Sequence, residues 1–291
     1  MRCASTVLAR LAIVLSLVSA YSQTPQAPGT SLTPEQVEGR ISRLPEDQRA
    51  YERFRYWQSM QSLDVQRSQG RMEQYRAYLK SRGFEDADIA SQLQLIAGQG
   101  RNMEVSRWNR ILTAPRPSFN TNPNAFLVEM AKRRTPGAAL DVGMGQGRNA
   151  IWLAQSGWKV TGFDPADQAV ALANQTAKAA GVELNTEITT SERFEFGENR
   201  WDLILFSYVP VRGLTEKVQR ALKPHGILII EGSHRDATAD HSIGGGVVFD
   251  TGELIRLFPD LRVLRYEEPI AKSDFGSGES RLVRYCGEKV E

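Results

Sequence analysis

Cysteine is scarce in this chain. Its 291 residues include two, Cys3 and Cys286. Charge of one sign is also lacking, since 36 Lys and Arg face 34 Asp and Glu with no basic block. The electrostatic footprint of a nucleic-acid binder is therefore missing. Long apolar runs are absent from the amino terminus. The stretch "LAIVLSLVSA", Leu11 to Ala20, holds ten residues without a charge, and a permanent bilayer span needs about 20. Arg2 and Arg10 precede it, the small residues Val18-Ser19-Ala20 close it, and polar "YSQTPQAPGTS" follows. Residues 1–22 thus read as a signal peptide. This predicts an exported or periplasmic protein with no stable membrane span, and a cytoplasmic one where the signal is unused. Cleavage would remove two of the 36 basic residues, none of the 34 acidic ones, and Cys3. The mature chain would then be near neutral, with Cys286 alone and no intramolecular disulfide. In the strand-like "RLVRYCGEK", Cys286 reads as a small buried residue.

The rest is ordinary globular material, 41% hydrophobic and 24% charged, enough for one sizeable core and an accessory part. Residues 23–33 read as a flexible leader rich in Gln, Pro, Ser and Thr. From 34 to 112 the pattern is helical. Tyr51, Phe54, Trp57 and Met60 fall three apart, as do Met72, Tyr75 and Tyr78, and Ile89, Leu93 and Ile96 continue the series. Three or four helices are expected, packed on the following domain as a cap. "TAPRPSFNTNPNAF" is a break, and helix and strand alternate in residues 113–291. "AALDVG", "WKVTGFD", "LNTEIT", "WDLILFSYV" and "ILIIEG" read as strands. "FLVEMAKR", "GRNAIWLAQSG", "ADQAVALANQTAKAAG" and "LTEKVQRALKPHG" read as helices. Continuous apolar strands alternating with helices argue for a parallel sheet covered on both faces. "LRVLRYEEPI" and "SRLVRYCGE", separated by a Gly/Ser turn, argue for a terminal antiparallel hairpin. The expected fold is α/β, a Rossmann-like seven-stranded sheet preceded by the helical segment.

In such a sheet the loop after the first strand is the usual ligand site. Here it is Gly143-Met144-Gly145-Gln146-Gly147, running into a helix whose first N–H groups are free donors. A dinucleotide fingerprint requires a third glycine at 148, and that residue is Arg148. This argues against an NAD-linked oxidoreductase. Asp141, two residues before the first glycine, repels a pyrophosphate and suits an ammonium group. S-adenosylmethionine carries an ammonium and no phosphate. Asp164 closes the second strand 23 residues after Asp141, where a carboxylate can accept ribose hydroxyls.

With these residues in order, the segment from about Phe119 to Glu288 resembles a class I S-adenosylmethionine-dependent methyltransferase. It is most similar to the tellurite-resistance and thiopurine type that acts on small molecules. "LDVGMGQG" matches the first motif, "VTGFDPA" the second, "WDLILFSYV" the fourth-strand motif and "ALKPHGILIIEG" the fifth. The resemblance implies donor contacts from Asp141, Gly143, Gly145, Gly147, Asp164, Pro165 and Ser207. Thr190 and Ser191 stand where the family commonly has an acid near the adenine, and His225 stands where it usually has glycine. Arg148 and Asn149 bind the donor carboxylate or stabilise the helix start.

Methyl transfer needs positioning and exclusion of water, and a base only where the acceptor must lose a proton early. Thiolates, selenium or tellurium anions and tertiary amines need none. The catalytic candidates are His234, as a base, and Tyr208. Glu231, Asp236 and His241 lie nearby in sequence, with Glu231 readable as a structural acceptor. Asn120 and Asn124 are candidates for a lid. No metal site is expected. A nucleic-acid methyltransferase would carry Asn/Asp-Pro-Pro-aromatic after the fourth strand, where this chain reads "SYVP". The alternative of another class is a non-catalytic module that binds the same donor.

Overall fold

The computed structural model describes residues 34–239, 245–275 and 278–291. The signal-peptide and leader readings and His241 lie outside the described residues. Residues 34–112 form α1 (Pro34–Ile41), α2 (Glu46–Ser59), α3 (Leu63–Arg67), α4 (Arg71–Ser81) and α5 (Asp86–Leu112). Five helices stand where the spacing predicts three or four. Pro45 ends one helical stretch and caps the next, and Ser62 accepts the Val65 N–H to start the short α3. The aromatic stripe packs helix against helix. Phe54, Trp57, Tyr75, Leu79 and Ile89 form one cluster, with Phe54 edge-on to Tyr75 at 5.0 Å. Full burial pushes the Tyr75 phenol pKa well up. No helix among the described residues is long and apolar enough to cross a membrane.

Beyond α6 (Ala125–Ala131) the chain alternates β1 (Ala138–Val142), α7 (Arg148–Gln155), β2 (Lys159–Phe163), α8 (Asp167–Ala179), β3 (Asn185–Glu187), β4 (Trp201–Ser207), α9 (Thr215–Ala221) and β5 (Leu222–His234). β6 (Val248–Phe249), α10 (Glu253–Leu257), β7 (Leu261–Glu267), β8 (Ile270–Lys272) and β9 (Glu279–Lys289) complete it. The sheet runs β3-β2-β1-β4-β5-β9-β7. The first five strands are parallel, and β9 is antiparallel to both β5 and β7. Strand alternation sends Leu140, Ile204, Phe206, Leu228 and Ile230 into the core on one face. Ala139, Leu203, Leu205, Ile227, Ile229 and Cys286 fill the core on the other. Cys286 is fully buried and free, and burial pushes its thiol up to about 12.

Two details differ from the sequence pattern. The expected seven strands form the main path of the sheet, and among the described residues two short strands extend it, β6 beside β5 and β8 beside β9. β8 is separated from β7 at Glu268-Pro269, where Pro269 has no N–H for the ladder and its carbonyl accepts from Leu282. α9 stops at Ala221, although "LTEKVQRALKPHG" reads as one helix. Pro224 disfavours a helical residue before it, and His225 takes a left-handed φ of 64°. That conformation explains why glycine is the usual residue there in the family this segment resembles.

Candidate functional site

Strand order reverses between β1 and β4, so the loops after these strands open the crevice where ligands bind in such sheets. The loop after β1 turns on three left-handed glycines, Gly143, Gly145 and Gly147, with φ of 64°, 54° and 81°. Each is closely covered. A Cβ at Gly143 would lie 2.6 Å from Val209, at Gly145 3.2 Å from Leu112, and at Gly147 2.8 Å from the Ala173 methyl. Gly147→Ala is expected to cost about 1–3 kcal/mol, from the left-handed backbone and the overlap with Ala173. Urea unfolding measures this, and a loss below about 0.5 kcal/mol would mean the loop relaxes freely.

Asp141 lies at the end of β1, 1% exposed. Its carboxylate receives the Ala150 N–H, and Oδ2 is buried without a partner. Desolvation pushes its pKa up to about 7, against the pull of Arg148 and the Ala150 N–H, and Asp164 adds a further upward push. Asp164 is also buried. Its Oδ2 accepts the Gly145 N–H at 2.9 Å and its Oδ1 the Ala166 N–H at 2.8 Å. Burial raises its pKa despite both bonds. This one carboxylate ties the glycine loop to the turn Asp164-Pro165-Ala166 that starts α8. Pro165 is half-buried there. Thr190 and Ser191 lie half-buried in the loop after β3, the neighbour of β2. The Thr190 carbonyl accepts from Arg193 and Phe194.

Arg148 opens α7 but turns to a polar cluster. It donates to Asp274 Oδ2 at 2.7 Å, to the Asn122 carbonyl at 2.9 Å and to Ser207 Oγ at 3.3 Å. Asn149 accepts the Asn124 N–H at 2.8 Å. Asn124 caps α6 and donates to Glu231 at 2.6 Å and Asp274 at 2.8 Å. Asn120 also donates to Asp274 at 2.8 Å. The lid candidates therefore lock onto the segment after β8. Glu231 is the structural acceptor, receiving Arg284 Nε at 2.5 Å. Burial raises its pKa and Arg284 opposes that. Asp274 titrates low, because Arg148, Asn120 and Asn124 outweigh its burial.

The two catalytic candidates fare differently. Tyr208 stands beside the cluster, with a left-handed φ of 58° and its ring edge-on to Phe275 at 5.3 Å. Its phenol oxygen accepts from Ser273 and from the Asp274 N–H. Burial first and Glu231 second push its pKa far up, so the phenol stays protonated. His234 faces elsewhere. Nε2 pairs with Thr251 Oγ1 at 2.9 Å and Nδ1 accepts the Asp236 N–H at 3.1 Å. Its contacts join it to the Thr251–Glu268 corner and not to Tyr208 or Arg148.

Sequence reasoning missed several participants. Asp274, Ser273 and Phe275 come from a Gly/Ser-rich turn. Asn109 and Leu112 come from α5: Asn109 Oδ1 accepts the Gln168 N–H at the start of α8, and its amide donates to Asp167 at 2.7 Å. Leu112 packs with Phe119, Ala166 and Ala169, joined by Trp108 and Phe275.

Residues 139–226 match the family described as a methyltransferase domain. Over this segment the chain is similar to class I S-adenosylmethionine-dependent methyltransferases. It is 25% identical over 149 residues to the probable S-adenosyl-L-methionine-dependent methyltransferase TehB of Haemophilus influenzae (strain 10810), covering 49% of this chain and 52% of that protein. The chain thus spans about half the length of this curated relative. The crystal structure of TehB from Haemophilus influenzae superposes with a TM-score of 0.50 at 22% identity, over 57% of this chain and 62% of the other. The N-methyltransferase NodS from Bradyrhizobium japonicum WM9, in complex with S-adenosyl-l-homocysteine, superposes with a TM-score of 0.52 at 18% identity, over 64% and 93%. At these identities the two structures show the shared Rossmann-like fold.

Proposed function

We propose that this protein transfers a methyl group from S-adenosylmethionine to a small-molecule acceptor by direct in-line displacement. The observation that carries this reading is the buried, unpartnered Oδ2 of Asp141, two residues before three left-handed glycines. An unpartnered buried carboxylate oxygen is costly, and an amino-acid ammonium would satisfy it. The residues present fit the donor. Asp141 would take its ammonium, the glycine loop would admit its methionine end, and Asp164 would meet its ribose. Pro165, Thr190 and Ser191 would border its adenosine. The donor supplies a methyl group already activated by a sulfonium centre, and the protein's task is to orient it and exclude water.

The side chains near Ser207 favour an acceptor that needs no base. Tyr208 is held protonated, Asp274 is paired with Arg148, and Glu231 is held by Arg284 and Asn124, while His234 faces away toward Thr251. A thiolate, a selenium or tellurium anion or a tertiary amine fits such a site.

Calorimetry with S-adenosylmethionine tests the reading, and absence of binding would overturn it. The pH profile tests Asp141 itself. Its folded pKa of about 7 lies above the ordinary carboxylate value of 3.8. The folded protein therefore holds a proton the unfolded chain has lost between these pH values, and donor-free stability falls as pH rises through that window. An ammonium beside Asp141 favours its ionised form. Donor affinity is expected to rise from about pH 5 to pH 7 and then level off, with proton release on binding below pH 7. Buffers of different ionisation enthalpy report that release, and Asp141→Asn should abolish it. A flat profile in the wild type would remove Asp141 from the donor site.

A further inference from the structure

A second concavity, of about 290 Å³, lies between the helical segment and the loop after β4. It is lined by Arg67, Arg71, Arg212, Gln58, Gln66 and Pro210, among others. Three guanidinium groups border one small volume, and no carboxylate lines it among the described residues. Two of the three are fixed in place by one backbone carbonyl. Arg67 Nη2 donates to Val248 O at 2.6 Å and Arg212 Nη2 to the same oxygen at 2.7 Å. Arg212 is also paired with Glu253 at 2.6 Å and lies 4.8 Å over the Phe249 ring. Arg67 approaches Asp250 at 3.5 Å, and Asp250 is already held by Arg235. Arg67 Nε is buried with no hydrogen-bond partner. Arg71 is exposed, and its guanidinium donates at 3.4 Å to the Gln66 carbonyl, with no carboxylate within ion-pair distance among the described residues. The pocket thus holds a spare positive charge and an unsatisfied charged donor.

Its position ties it to the donor site. Tyr208, Val209 and Pro210 are consecutive. Tyr208 touches the Asp274 cluster, Val209 covers Gly143, and Pro210 lines the pocket. Planar guanidinium forks recognise carboxylate and phosphoryl groups bidentately. We propose that this pocket is an anion subsite that holds the carboxylate or phosphoryl group of the methyl acceptor. The proposal rests on the methyltransferase reading above and adds the charge of the acceptor to it. The helices of residues 34–112 then supply part of the acceptor site, since Arg67 and Arg71 come from α3 and α4.

Fluorine NMR titration of the full chain, saturated with S-adenosylhomocysteine, tests this with 4-fluorobenzoate, 4-fluorophenyl phosphate and the neutral 4-fluorobenzamide. At least one anion is expected to bind tenfold or more tightly than the amide, and the stronger of the two identifies the group the pocket prefers. Arg71→Met should reduce anion affinity by about tenfold, or ~1.4 kcal/mol, and leave amide and donor affinity unchanged. Arg71 is exposed, so the variant is expected to keep its fold, and donor binding in the same samples verifies that. Equal binding of anions and amide, or a preference that survives in Arg71→Met, overturns the subsite. Normal donor binding with no anion preference defeats the subsite alone, whereas absent donor binding defeats the methyltransferase reading.

Discussion

Asp164→Ala is expected to lower donor affinity at least tenfold, or ~1.4 kcal/mol, and to cost the donor-free protein about 3 kcal/mol of stability. Both effects come from one carboxylate. Without donor, its two oxygens take the N–H groups of Gly145 and Ala166, binding the glycine loop to the start of α8. Hydrogen bonds to a charged acceptor contribute about 1.5–3 kcal/mol each, and alanine leaves both buried donors unsatisfied. With donor bound, the remaining lone pairs would accept ribose hydroxyls. Asp164→Asn separates the parts, because an amide oxygen still accepts one N–H while its NH2 opposes the other. Calorimetry and urea unfolding on the same samples give the two quantities. Unchanged affinity in a folded Asp164→Ala protein would remove Asp164 from the donor site.

Glu231→Ala is expected to destabilise the protein by about 3–5 kcal/mol, the usual cost of leaving a buried charge without its partner. Glu231 is 2% exposed and receives Arg284 at 2.5 Å and Asn124 at 2.6 Å. Its loss strands the Arg284 guanidinium and frees the amide that caps α6. Glu231→Gln keeps an acceptor for one of them and should cost less. Urea unfolding monitored by tryptophan fluorescence measures the difference, and a loss under about 1 kcal/mol would show that the cluster tolerates solvent.

Much of the fold was legible because its signals are local. Apolar runs mark β1, β4 and β5, glycine positions mark the turn after β1, and Asp164 closes β2 at a fixed interval. The polar cluster was not legible because its members meet only through the sheet. Arg148 reaches Asp274 across 126 residues and Asn124 reaches Glu231 across 107. A carboxylate in "KSDFGSG" looks like any turn residue until β8 and β9 carry it back over the site. The separation of His234 from the cluster was already present in the pattern. It lies three residues beyond Glu231 on one strand, so the two side chains leave opposite faces of the sheet. The Arg67–Arg71–Arg212 pocket was illegible for the opposite reason, since arginines on short helices and loops read as solvated surface.

Helix α5 is a 27-residue rod, roughly 40 Å long. Its first turns belong to the aromatic cluster through Ile89, and its last turn lies over the glycine loop through Leu112. The point where the chain's grammar changes, near residue 113, is therefore not a place where the molecule can be cut. A fragment begun there would lose the cover of Gly145 and the Asn109 cap of α8 together. A truncated protein that failed to bind donor would report a missing wall and say nothing against the domain itself.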